Sequence, residues 1–104
     1  MRAFKLALPL LLLVAGPAGA QSGDPEAGHE LARSFCAECH AVDGDEFESP
    51  NPDSPPFRSI ARKPEMTELA LTVFFQTPHP SMPNIIVTGD DARDLIAYIL
   101  SLKP

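Results

Sequence analysis

Cys36-Ala37-Glu38-Cys39-His40 holds both cysteines of the 104-residue chain, three residues apart and followed at once by a histidine. Two thiols at this spacing, at the end of a helix, reach the two vinyl groups of one haem and form thioethers. The histidine directly after them brings an imidazole nitrogen under the iron, and this is the spacing of covalent haem attachment. Two other chemistries use paired cysteines. A redox-active C-x-x-C disulfide belongs in a βαβ context that this sequence lacks. A structural zinc ion needs two more ligands; His29 and His79 are available beside His40, but no second paired motif accompanies them. The motif is therefore read as a haem site.

Upstream, Asp24-Pro25-Glu26 opens a helix with a capping side chain, a proline at the first helical position and an acid at the positive end of the dipole. Gly28, Leu31, Ala32 and Phe35 recur at helical spacing, so the helix runs one apolar stripe straight into Cys36. His29, among polar neighbours, reads as a solvated side chain. Downstream, residues 42–56 are crowded with acids, Ser, Asn and four prolines and read as a long loop. A short helical turn is expected at 57–61. A further helix should start at Pro64-Glu65, with Met66, Leu69, Ala70 and Val73 on one face and Phe74 close by, and end before Pro78 and Pro80. Residues 77–83 read as extended. The last helix carries a capping box in Thr88 and Asp91 and buries Leu95, Ile96, Ile99, Leu100 and Leu102, with Tyr98 beside them. Apart from the short run Asn84-Ile85-Ile86-Val87, no segment alternates as a strand does, and there are no internal repeats. The class is all-α.

The first twenty residues form a separate unit. Arg2 and Lys5 precede an apolar run from Leu6 to Ala15, and Ala18-Gly19-Ala20 supplies small residues before Gln21. The pattern is that of a secretory signal peptide on residues 1–20, cleaved before Gln21, with the working domain in residues 21–104. The run is well short of the roughly 20 apolar residues that span a bilayer, which argues against an uncleaved anchor. Cleavage removes two of the eight basic residues and none of the fourteen acidic ones, leaving a net charge of −8. Binding to nucleic acid needs a basic footprint and is excluded on these grounds. Two readings of this charge stand side by side: it favours partners with basic surfaces, with association slowed by salt, or it serves solubility alone. A domain this short, without tryptophan, needs a cofactor or staple to complete its core.

A haem iron takes a sixth ligand or keeps an open site. Met82 sits in His79-Pro80-Ser81-Met82-Pro83-Asn84, where flanking prolines stiffen the backbone around a flexible thioether. It is the preferred candidate; His79 and an open position are the alternatives. Met66 lies in a helical pattern and reads as core.

The motif, the later Met82-Pro83 and the closing Leu95-Ile96-Ala97-Tyr98-Ile99 together resemble the class I c-type cytochromes, over residues 24 to 102. Gly28, eight residues before Cys36, and Tyr98 match the close crossing of first and last helices in that family. The resemblance implies a cytochrome c-like fold of about three to four helices wrapped around one covalently bound haem c. It also implies a proline carbonyl that accepts the N–H of His40. Pro55 in Pro55-Pro56-Phe57 matches that residue, with Pro56 as the alternative and Phe57 as the apolar residue that follows. Lysines ringing the haem edge in better-known members are absent here.

The function expected is that of a single-electron carrier outside the cytoplasm, in the periplasm, with His40 and Met82 as axial ligands and no enzymatic activity of its own. Its partners are other redox proteins, no membrane span remains after cleavage, and the sequence specifies no oligomeric state. An apolar lining from Leu31, Phe35, Phe57, Ile60, Leu69, Val73, Phe74, Leu95 and Ile99 would raise the potential, as Met/His ligation does. A haem-bearing subunit of a periplasmic dehydrogenase or oxidase complex is the alternative. A haem enzyme or gas sensor ranks below both.

Overall fold

A computed structural model describes residues 2–12, 23–78, 81–82 and 85–104. The expected cleavage site before Gln21 lies outside these residues, as do His79, Pro80, Pro83 and Asn84. The described part contains four helices and no strand: α1 (Pro25–Phe35), α2 (Phe57–Arg62), α3 (Glu68–Gln76) and α4 (Gly89–Ser101). Helices α1 and α4 form the main pairing, and α2 and α3 each lean on α4. The architecture is all-α, as expected. Ile85, Ile86 and Val87 carry no strand.

Helix α1 starts as its sequence dictates: the Asp24 side chain accepts from the Glu26 amide at 2.9 Å, with Pro25 in the first turn. Gly28 and Ala32 are buried against α4. A methyl group at position 28 would lie 1.9 Å from the Asp94 carbonyl oxygen and 2.8 Å from Tyr98 Cβ, so the two helices can approach this closely only where a side chain is missing. The same holds just before α1 begins, where Gly23 abuts the Arg93 carbonyl, and the Asp24 amide donates to Asp94 Oδ1 at 2.8 Å.

Beneath this crossing lies the core, built from Ala32, Val42, Phe57, Ala61, Leu71, Phe75, Leu95, Ile96, Tyr98 and Ile99. Leu100 and Leu102 are partly buried beside it. At the far end Lys103 Nζ donates to the carbonyls of Ala61 at 3.0 Å and Lys63 at 3.3 Å, closing the C-terminus of α2.

Three expectations need correction. Helix α3 begins at Glu68 rather than at Pro64-Glu65, because Thr67 supplies the cap: its hydroxyl accepts from the Ala70 amide at 3.1 Å. Its buried residues are Leu71 and Phe75, whereas Leu69 and Val73 face outward. The capping box of α4 does not form. Thr88 makes no side-chain cap bond, and both Thr88 and Asp91 instead line a surface cleft. Finally, His29 is not a free solvated side chain; it is ring-stacked and hydrogen-bonded, as described below.

Candidate functional site

The C-terminus of α1 delivers the cysteine motif as a tight turn. The Cys36 and Ala37 amides both donate to the Ala32 carbonyl, at 2.8 and 2.9 Å, and the Cys36 carbonyl then accepts from Cys39 at 3.2 Å and His40 at 2.8 Å. This winding sets two thiols and an imidazole on one short piece of backbone. The thiols are free, Cys36 buried and Cys39 exposed. Burial pushes the Cys36 thiol up to about 11.

The long loop folds back on this turn. The Asn51 amide donates to the Cys39 carbonyl at 3.1 Å, the Ala41 amide to Ser49 Oγ at 3.0 Å, and the Phe57 amide to the Ala41 carbonyl at 2.8 Å. Its end places the Pro55 carbonyl 2.7 Å from His40 Nδ1. The Pro56 carbonyl is occupied by the Ser59 and Ile60 amides at the start of α2, which leaves Pro55 as the acceptor in reach. A ring nitrogen bonded to a carbonyl must carry the proton, so the Nε2 lone pair of His40 is the one free to bind a metal. The Phe57 ring, 5.3 Å away at 53°, flanks the imidazole.

Cys36 opens into a cleft walled by Leu31, Phe35, Ile85 and Ile86, with Leu95 among its lining residues. Apolar side chains are unusually exposed for so small a chain: Phe35 at 66%, Leu69 at 72%, Val73 at 54% and Ile86 at 82%. Of the lining expected from sequence, Leu31, Phe35 and Leu95 meet in this cleft. Phe57 and Ile99 are sealed in the core, and Leu69 and Val73 are surface residues. Met82 is partly buried against the core, three residues before Ile85, and is not among the residues lining the cleft. Ile85 and Ile86 were missed by sequence reasoning; the signal was an apolar run, without helical period, just after Met82.

A second cluster stands beside the motif. Tyr98 Oη donates to the Val42 carbonyl at 2.5 Å, and His29 stacks on the Tyr98 ring with centroids 4.5 Å apart. His29 Nε2 lies 2.5 Å from Asp43 Oδ1, with Arg33 Nη2 at 3.8 Å from the same oxygen. The hydrogen bond from His29 chiefly holds the Asp43 carboxyl below the ordinary range. Glu46 is pushed up, first by its hydrogen bond with Asp43 and further by the charges of Asp43 and Asp45. Tyr98 is pushed up by burial and then by the Asp43 charge.

These residues fit a covalently held haem: paired thiols on one turn, an imidazole with a free Nε2, and an apolar cleft that the chain itself leaves uncovered. Comparison with known proteins agrees. Residues 25–103 match the Cytochrome c family. The chain belongs to the cytochrome c family. This cytochrome c is 35% identical over 95 residues to cytochrome c-552 of Bradyrhizobium diazoefficiens, a match that covers 91% of this chain and 90% of that protein. No solved structure matches it. Membership brings covalently bound haem c and an electron-transfer role that requires redox partners. Among the described residues of this cytochrome c, no helix is long and apolar enough to cross a membrane.

Proposed function

We propose that this cytochrome c is a periplasmic single-electron carrier in which Cys36 and Cys39 form the two thioethers, His40 and Met82 bind the iron, and Pro55 orients His40. The observation that carries this reading is the turn Cys36–His40 with its imidazole tied through Nδ1 to the Pro55 carbonyl. The haem supplies one reversible electron, passing between ferric and ferrous iron. The protein's part is to keep that change small. The Pro55 bond fixes the plane of the imidazole and raises its basicity. A neutral thioether from Met82 favours the ferrous state, and the apolar side chains of the cleft exclude water and disfavour the extra positive charge of the ferric state.

The leader-like N-terminal pattern of Arg2, Lys5 and the apolar run after them supports the periplasmic assignment. In residues 2–12 there is no helix, and Phe4, Leu6, Leu8, Leu10, Leu11 and Leu12 are all exposed, as suits a leader removed before residue 21. The domain of residues 21–104 then carries a net charge of −8, which favours basic surfaces on its redox partners. Replacing Met82 with alanine tests the ligand set. The variant should show a lower potential and bind carbon monoxide rapidly; a spectrum and potential like the parent's would remove Met82 from the iron.

A further inference from the structure

Each of the three residues after His40 is tied down by a different part of the chain. Ala41 is held at both ends, by Ser49 and by Phe57. The Val42 carbonyl takes the hydroxyl of Tyr98, from α4. Asp43 takes the imidazole of His29, from α1. One side chain joins the last two anchors: His29 bonds Asp43 while its ring lies on Tyr98, 15° from parallel. It is 31% exposed, so water can reach it and exchange its proton.

The geometry points to His29 as a positioning residue for His40, acting through the segment 41–43, and as the proton acceptor that makes the reduction potential depend on pH. This rests on His40 being an iron ligand, as proposed above. Charged and titratable groups meet the His29 cluster from three elements, besides Glu26 and Glu30 on α1 itself. On its own helix stands Arg33, 3.8 Å from Asp43; the loop contributes Asp43, with Asp45 and Glu46 behind it; α4, the helix packed against α1, contributes Tyr98. Asp43 is held in its charged form by these contacts. With His29 protonated the pair is neutral, and with His29 neutral the pair carries one negative charge. Reduction adds one electron to the haem, so it is favoured when that negative charge is cancelled by a proton taken up from solvent onto His29. Loss of the proton also turns the ion pair with Asp43 into a hydrogen bond from a neutral donor, which is weaker and loosens the segment that carries His40.

The test is the midpoint potential of the haem-loaded protein as a function of pH, with the His29 ring followed by proton NMR in both oxidation states. The potential should fall in one step as pH rises through the titration of His29, and His29 should titrate at higher pH in the reduced protein. His29→Gln keeps a donor for Asp43 but cannot take a proton, and should abolish the step. Glu46→Gln should leave it. A step that survives in His29→Gln, or that vanishes in Glu46→Gln, would overturn the proposal; so would a His29 titration identical in the two oxidation states, which is read on the unmutated protein and needs no variant to fold. A visible spectrum lacking imidazole-bound iron would instead remove the ligand reading, and the proposal with it.

Discussion

Gly28 on α1 touches the backbone of Asp94 on α4: an added methyl group would stand 1.9 Å from that carbonyl oxygen. The contact is with main chain, which cannot rotate aside. Gly28→Ala must therefore push the helices apart along the pairing that organises the whole core, and should cost about 3 kcal/mol, at the upper end for overpacking. Denaturant unfolding followed by far-ultraviolet dichroism checks it; a loss under about 0.5 kcal/mol would mean the crossing is looser than described.

Tyr98→Phe removes one hydroxyl and leaves the ring stacked on His29. The buried Val42 carbonyl then loses its partner, at a cost of about 1–2 kcal/mol. The same denaturation experiment reads it, and a variant as stable as the parent would show the carbonyl re-satisfied by water.

Acid should act through Asp43. Its carboxyl is lowered in the folded protein, mainly by the His29 bond, so its stabilisation is complete above the ordinary carboxylate range and is lost as pH falls through its folded value. The melting temperature of Asp43→Asn should lie below the parent's at neutral pH, and the two curves should converge on the acid side. Curves that run parallel throughout would deny the linkage.

How much of this could be read from sequence depends on how local the cause was. The Asp24 cap and the run of α1 into Cys36 depend on neighbours a few residues apart, and the sequence displays them directly. The spacing from Gly28 to Cys36, set beside Tyr98, pointed to the α1–α4 crossing because a small residue and an aromatic one were already known to meet there in the family. The start of α3 was misplaced because Pro64-Glu65 looks like a helix opening, while the cap bond from Thr67 to Ala70 decides it. Thr88 and Asp91 have the right spacing for a capping box, but spacing does not reveal that both turn toward the cleft. The bond between His29 and Asp43 is set by how α1 and the loop come together in space, and composition gave no hint of it. At the site, the cysteine–histidine turn is read from its spacing alone, whereas the helical stripe that groups Leu69 with Val73 says which residues share a face and not what covers that face, which the protein itself leaves exposed.

Lys103 offers a test at the other end of the molecule. Lys103→Met keeps the aliphatic stem and removes the ammonium that serves the Ala61 and Lys63 carbonyls, which should cost about 1 kcal/mol and fray α2 first. Amide exchange should speed up at the C-terminus of α2 and change little in α1.

The pairing of α1 with α4 also sets the order of events as the chain is made. These two helices stand at opposite ends of residues 25–101, so α1 has no helix to pack against until residues 89–101 have been added. A chain emerging from its N-terminus holds the buried face of α1, and the Cys36–His40 turn at its end, open to water through that interval. Topology thus gives the thiols a period of accessibility that the folded protein denies to Cys36, and final closure waits on the last helix.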